Sequence, residues 1–269
     1  MKKVMAVVLN NFKYDSRVLK ECSSLASYGY SVNVIALHDG ISDLPEFEMT
    51  GEFYVHRIKL LSKNWSKMAL MQLVKYVEFL GRAFWECRTA DIIHCNDLNA
   101  LPVGFFSKLL SLGRIKIIYD AHELETEREG LTGIKKIVSK VGEWSLIECA
   151  NKVITVSPGI ADYYKRLYNI AKPEVVLNAP VFRKYKKTNL LRNDLNIDNG
   201  KLIFLYQGVV AECNGIKQIV ETFIKSEIED AVLVIMGYGE LEAWVQLMDD
   251  NYDNIYFHEA VSPMEPGFS

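Results

Sequence analysis

Two short apolar runs in this chain empty directly into histidines and carboxylates. Ile117-Ile118-Tyr119 passes through Asp120-Ala121 into His122-Glu123, and Ile92-Ile93 passes into His94-Cys95-Asn96-Asp97. Runs too short for a helix read as buried parallel strands, and open α/β sheets bind ligands in the crevice beyond the carboxyl ends of their strands. Imidazole titrates near neutral pH, so His94 and His122 beside Asp97 and Glu123 are suited to proton exchange and to binding hydroxyl groups. The plain alternative is a histidine that only hydrogen-bonds a neighbouring loop. Asn11 and the pair Asp15-x-Arg17 follow the first apolar run, where they serve either as ligand-binding groups or as an exposed helix start. Gly208 and Gly237-Tyr238-Gly239 close two later runs and suit either a tight strand-to-helix turn or a phosphate held at a helix N-terminus. Asp249-Asp250 with Asp253 lacks the remaining ligand pattern of a metal loop and reads as solvated, so no metal site is expected.

The elements that must position these groups alternate regularly. Strands are expected at 4–9, 31–37, 53–59, 91–95, 116–120, 152–156 and 174–177, with helices at 16–28, 66–87, 100–111, 134–149 and 158–168. Such alternation implies an α/β fold with a doubly wound, mainly parallel sheet. The stretch 181–200 is polar and basic, without apolar period, and suits a linker. Strands at 202–206, 231–236 and 255–258 and helices at 216–225 and 241–248 then form a second Rossmann-like unit over 201–269, after a first domain over 1–180. The asparagines and aspartate after the first strand replace a glycine-rich phosphate loop, which argues against a nicotinamide dehydrogenase.

Composition narrows the function classes. A net charge of -3 over 269 residues gives no electrostatic footprint for nucleic acid. Five scattered cysteines without a Cys-x-x-Cys pair fit neither a disulfide framework nor a zinc site, and a cytoplasmic setting is expected. The apolar run at 4–9 is shorter than the roughly 7–15 residues of a signal core. In the helix at 66–87, Met68, Met71, Val74, Val77, Leu80 and Phe84 share helical spacing and read as a core face. The flanking Trp65, Trp85, Lys59 and Lys63 leave a second reading, peripheral contact with an anionic membrane.

Several motifs together resemble glycosyltransferase family 4. Asp15-x-Arg17-Val18-x-Lys20-Glu21, His94-x-Asn96-Asp97, Tyr119-Asp120-Ala121-His122-Glu123, Val153-Ile154-Thr155-Val156-Ser157 and Val176-Leu177-Asn178-Ala179-Pro180 look like its successive strand ends and first helix. Tyr206-Gln207-Gly208, Gly215-Ile216 and Met236-Gly237-x-Gly239 resemble the first half of its donor-binding domain. The resemblance implies a GT-B architecture and sugar transfer with retention from a nucleotide sugar, which is a co-substrate; no cofactor is implied. It places His122 near the reacting centre and Asn11, Asp15, Arg17, His94, Asp97 and Glu123 on the side of a glycan or lipid-linked acceptor, as in surface polysaccharide or glycoconjugate synthesis. Gly208, Gly237, Tyr238 and Gly239 fall on the donor side.

The pattern is also departed from. Family members use an Arg and a Lys soon after the glycine at 208, whereas here residues 209–214 carry no basic side chain and Lys217 is the nearest cation. A pair of donor-gripping glutamates is missing as well, and Ser262-Pro263-Met264-Glu265 starts a helix that Pro266-Gly267 breaks off. These features give the expectation of a truncated chain with weak donor binding and with the apolar faces of Val232, Val234, Ile255 and Phe257 exposed. The alternative to a working transferase is then an inactive acceptor-binding module.

Overall fold

The computed structural model of the chain describes residues 1–261 apart from 14, 41–42, 67, 128–131, 180–181, 183–187 and 227. It comprises two compact units, Met1–Pro180 and Val181–Ser269. The expected helix start at 262–265 and most of the basic stretch at 182–188 lie outside the described residues.

In the first unit, β1 (Lys3–Val7), β2 (Ser31–Leu37), β3 (Phe47–Thr50), β4 (Phe53–Ile58), β5 (Ile92–Asn96), β6 (Lys116–Ala121), β7 (Lys152–Thr155) and β8 (Glu174–Val175) form one sheet. Its order is β3-β4-β2-β1-β5-β6-β7-β8, parallel throughout except for the edge strand β3. The pleat divides each strand between two cores. Met5, Val7 and Ile93 join Phe79 and Ala83 of α2 (Ala69–Cys87), Leu101 and Val103 of α3 (Leu101–Leu110) and Tyr164 of α5 (Pro158–Tyr168). Val4, Ala6 and Val8 instead meet Val18 and Cys22 of α1 (Ser16–Ser27). Helices therefore cover both faces, and each fully buried aliphatic side chain contributes roughly 1.5–3 kcal/mol. A further helix, α4 (Gly133–Leu146), links β6 to β7.

Three expectations change. The strand β3 escapes period-two reading because it is four residues long; Gly51, at φ +62°, turns it back onto β4. On α2 the buried line is Phe79, Ala83 and Cys87, while Met68 and Val77 face solvent. The helix meets the sheet only through its carboxyl half, so an apolar period over its full length does not locate the core face.

The third change concerns the second unit. There β9 (Leu202–Val209), β10 (Ala231–Tyr238) and β11 (Ile255–Glu259) pair in parallel in the order β11-β10-β9, with α7 (Ile216–Lys225) and α8 (Glu242–Asn251) between them in sequence. The stretch read as a linker contains α6 (Leu190–Asp194), and Leu191, Leu195 and Ile197 pack on Val232 and Val234. Ile255 and Phe257 lie in a core with Val220 of α7 and Val245 of α8. All four residues expected to be exposed are thus buried, because a short polar-looking segment supplies one missing cover and α7 and α8 the other.

Candidate functional site

The loop after β1 is built by its own side chains. Asn10 Oδ1 accepts the Phe12 N–H at 2.8 Å and Asn11 Oδ1 the Lys13 N–H at 3.1 Å, while Asn11 Nδ2 donates to Asp39 at 2.7 Å. Asp15 caps α1, accepting the Val18 N–H at 3.1 Å on one oxygen and Asn10 Nδ2 at 2.8 Å on the other. Asn11 and Asp15 reach the crevice, and their hydrogen bonds hold its rim.

Arg17, in the first turn of α1, is 5 % exposed rather than part of an exposed helix start. Its Nε and Nη2 donate to the two oxygens of Asp120 at 2.8 and 2.9 Å, and its Nη1 donates to the Val176 carbonyl at 2.9 Å. Asp120 is 0 % exposed and sits at the end of β6 on the face that α1 covers. A carboxylate there needs a counterion, and the planar guanidinium matches both oxygens at once. Burial alone would lower the Arg17 pKa, but the hydrogen bond and charge of Asp120, with Glu21 and Asp15, raise it above its usual range.

Beyond Asp120, His122 Nε2 lies 3.1 Å from Asp97 Oδ1 and its Nδ1 lies 3.9 Å from Asp120 Oδ2. Asp97 is held at φ +74°, ψ 160°, a region that essentially only glycine populates, and its N–H donates to the Asp120 carbonyl at 3.1 Å. Strain of this kind persists only where the surroundings over-determine it, and here it points a carboxylate at an imidazole. A pocket of about 460 Å³ opens beside them, lined by Asn10, Asn11, Asp15, Arg17, His122 and Asn178. Glu123 is exposed and stays outside its lining.

His94 lies deeper. It lines a neighbouring pocket of about 420 Å³ with Glu21, and its Nε2 stands 3.7 Å from Glu21 Oε2. Burial, reinforced by the charge of Asp120, pushes the Glu21 carboxyl up to about 8, and burial lowers the His94 pKa. At neutral pH Glu21 is therefore mainly protonated and His94 neutral. Glu21, His94 and Asp120 offer ligand atoms within 4.8 Å of one another, a spacing a metal ion would accept. The Arg17 guanidinium already takes both Asp120 oxygens and fills the cationic role at that point.

The sequence model of Glycosyltransferase Family 4 matches residues 16–179, which includes α1, Arg17, His94, Asp97 and His122. The chain belongs to glycosyltransferase family 4. Among curated proteins no sequence matches it. Among solved structures it is similar to sucrose-phosphate synthase from Thermosynechococcus elongatus, with a TM-score of 0.76 at 15% identity over 97% of this chain and 71% of that one. It is also similar to Anabaena HepE in complex with UDP-glucose, with a TM-score of 0.64 at 14% identity over 97% of this chain and 70% of that one. The lipopolysaccharide outer core galactosyltransferase WaaB gives a TM-score of 0.65 at 12% identity over 97% and 69%. At such identities the likeness shows the fold, which is the GT-B fold of these glycosyltransferases.

In the second unit of this family 4 chain, the glycines have a packing reason of their own. Gly237 pairs with Gly208 across β10 and β9, and a Cβ on Gly237 would stand 1.8 Å from the Gly208 carbonyl oxygen. A Cβ on Gly239 would stand 2.4 Å from the Val210 carbonyl oxygen, which also accepts the Leu241 N–H at 3.1 Å. Tyr238 between them is exposed. Lys217, the first cation after Gly208 in sequence, is paired with Glu212 at 2.7 Å.

Two residues central to the first unit were not singled out as candidates from sequence, Glu21 and Asp120. Arg17 is followed four positions on by Glu21, within an apolar face that also carries Val18 and Cys22. Charges at helical spacing inside a core stripe require partners, and Asp120 alternates with Ile118 on the matching strand face. That pattern is a usable signal.

Proposed function

We propose that this family 4 chain moves a sugar from a nucleotide-sugar donor to a glycan or lipid-linked acceptor, with retention, in surface polysaccharide or glycoconjugate synthesis. The observation that carries this reading is the His122–Asp97 pair, braced by the Arg17–Asp120 pair over a pocket of about 460 Å³. Asp97 fixes the imidazole plane at the end of β6, so an acceptor sugar entering the pocket meets a ring that is already oriented. Asn178 and the rim groups Asn11 and Asp15 offer polar contacts to its hydroxyls, and His94 keeps a neutral, buried floor under α1. Gly208, Gly237, Tyr238 and Gly239 are assigned to the donor side, where Tyr238 is the exposed side chain. HepE, a structure with UDP-glucose, supports a uridine diphosphate sugar as the first donor to try. Transfer would take place in the cytoplasm, peripherally at the inner face of the membrane. No helix among the described residues is long and apolar enough to cross one.

The test is transfer of labelled sugar from a panel of uridine and guanosine diphosphate sugars to cell glycan and lipid extracts, with the anomeric configuration of the product read by NMR. Transfer with retention supports the proposal; binding of neither donor nor acceptor contradicts it. A second reading, an acceptor-binding unit with little turnover, is favoured by the neutralised Lys217 and the absence of any basic residue at 209–214. Removing one group that stabilises developing charge costs roughly 10²–10³ in rate. Acceptor binding without transfer would select that reading.

A further inference from the structure

The loop after β1 carries a backbone that its own residues do not favour. Phe12 is held at φ +54°, in the left-handed region that residues with a Cβ rarely adopt. It is buried as well, and its ring meets that of Phe53 on β4 edge-on, with centroids 6.2 Å apart. A strained conformation persists only where its surroundings over-determine it. Asn10 supplies a local restraint, since its Oδ1 accepts the Phe12 N–H. The second restraint comes from β4.

Arg57 of β4 is 2 % exposed. Its Nε donates to the Asn11 carbonyl at 2.8 Å, its Nη1 donates to the Pro45 carbonyl at 2.9 Å, and its Nη2 pairs with Glu48 of β3 at 2.6 Å. The planar guanidinium is thus committed in three directions at once, which a lysine could not reproduce. Glu48 has a side chain 38 % exposed and needs no buried counterion, so charge neutralisation alone does not explain the burial of Arg57. The Asn11 carbonyl belongs to the peptide entering the strained Phe12, and the Arg57 bond fixes that peptide. Asn11 is tied through its side chain too, Oδ1 to the Lys13 N–H and Nδ2 to Asp39, which leaves one Nδ2 hydrogen for an incoming hydroxyl group. Asn10 and Asn11 line the pocket beside His122, whereas Arg57 acts from outside its lining.

We propose that Arg57 is a positioning residue for the acceptor, holding the rim loop through the Asn11 carbonyl in the shape that meets acceptor hydroxyls. The inference rests on the acceptor pocket of the proposed function, and hydrogen exchange without donor or acceptor tests the loop apart from sugar transfer. Amide exchange is followed by NMR in the parent chain, Arg57→Met and Glu48→Gln. Phe12 and Lys13 should exchange roughly tenfold faster or more in Arg57→Met and roughly threefold faster in Glu48→Gln, with the amides of β1 and β5 unchanged. Glu48→Gln alters only the half-exposed partner and decides the matter if Arg57→Met does not fold. In transfer from UDP-glucose to cell glycan and lipid extract, the extract concentration giving half the maximal rate should rise roughly fivefold or more in Arg57→Met, at a maximal rate within about twofold of the parent. In an Asn11→Ala background the same change should have little further effect. Loop exchange equal to that of the parent would overturn the proposal. So would a lower maximal rate with unchanged half-saturation, or effects of Arg57→Met and Asn11→Ala that simply multiply. A parent chain without any transfer would remove the acceptor role, and the exchange of Phe12 and Lys13 would still decide whether Arg57 holds the rim.

Discussion

Replacing Arg17 by Met should destabilise the first unit more than any ordinary surface change. The side chain is nearly inaccessible, and Asp120 behind it is completely so. Removing one partner of a buried ion pair leaves an uncompensated charge and costs about 3–5 kcal/mol. For a unit of this size each kcal/mol lowers the melting temperature by about 2–4 °C, so a fall of roughly 6–20 °C is expected. Lys at the same position keeps the charge but cannot bind both Asp120 oxygens and reach the Val176 carbonyl, so Arg17→Lys should fall between. The decisive comparison is Arg17→Met/Asp120→Asn, in which the orphaned charge is gone; it should recover most of the lost stability. Thermal and urea unfolding followed by circular dichroism provide the measurements. A loss below about 1 kcal/mol for Arg17→Met, or a double variant no more stable than the single one, would refute the buried-pair reasoning.

Glu21 adds a pH dependence of definite sign. Its carboxyl is held at about 8 when folded against an ordinary 4.5, so the folded state keeps a proton that the unfolded chain releases. The contribution is complete below pH 4.5 and is lost as pH rises through about 8, by an amount on the order of a few kcal/mol. In Glu21→Gln that decline should be absent, as urea unfolding at a series of pH values will tell. Asp97→Gly should relieve the backbone at φ +74° and raise stability by about 1 kcal/mol while lowering sugar transfer; a less stable variant would mean that Asp97 is not strained. Gly237→Ala should unfold the second unit, since its Cβ would meet the Gly208 carbonyl oxygen at 1.8 Å; a native-like amide spectrum for that unit would contradict this.

Much of this fold was legible because strong periods and strong stops coincide. The helix at 158–168 begins with Ser157 as its cap and Pro158 at its first position, and the structure gives those bounds. The strand end before His122 could be placed because an apolar run stops abruptly there, whereas β5 runs on through His94 to Asn96. The α6 segment was not legible: five helical residues have no period to read, and Ile197 packs through tertiary contact alone. The site was only half visible for a related reason. Individual polar residues could be assigned to strand ends, but the partnership of Arg17 with Asp120 spans 103 positions and depends on which sheet face each strand residue takes. Helix α4 shows the same limit: Ile134, Ile137, Val138, Val141 and Trp144 share helical spacing, yet they are exposed and Glu143 is buried.

The most direct test of the central claim is sugar transfer by the parent chain beside His122→Ala, with donor and acceptor saturating and both proteins shown to be folded by the same melting curve. If the His122–Asp97 pair stands at the reacting centre, acceptor-dependent release of nucleoside diphosphate should fall by roughly 10²-fold or more in the variant, at a similar dissociation constant for the donor. Unchanged transfer by His122→Ala would contradict the claim and move the chemistry away from the end of β6.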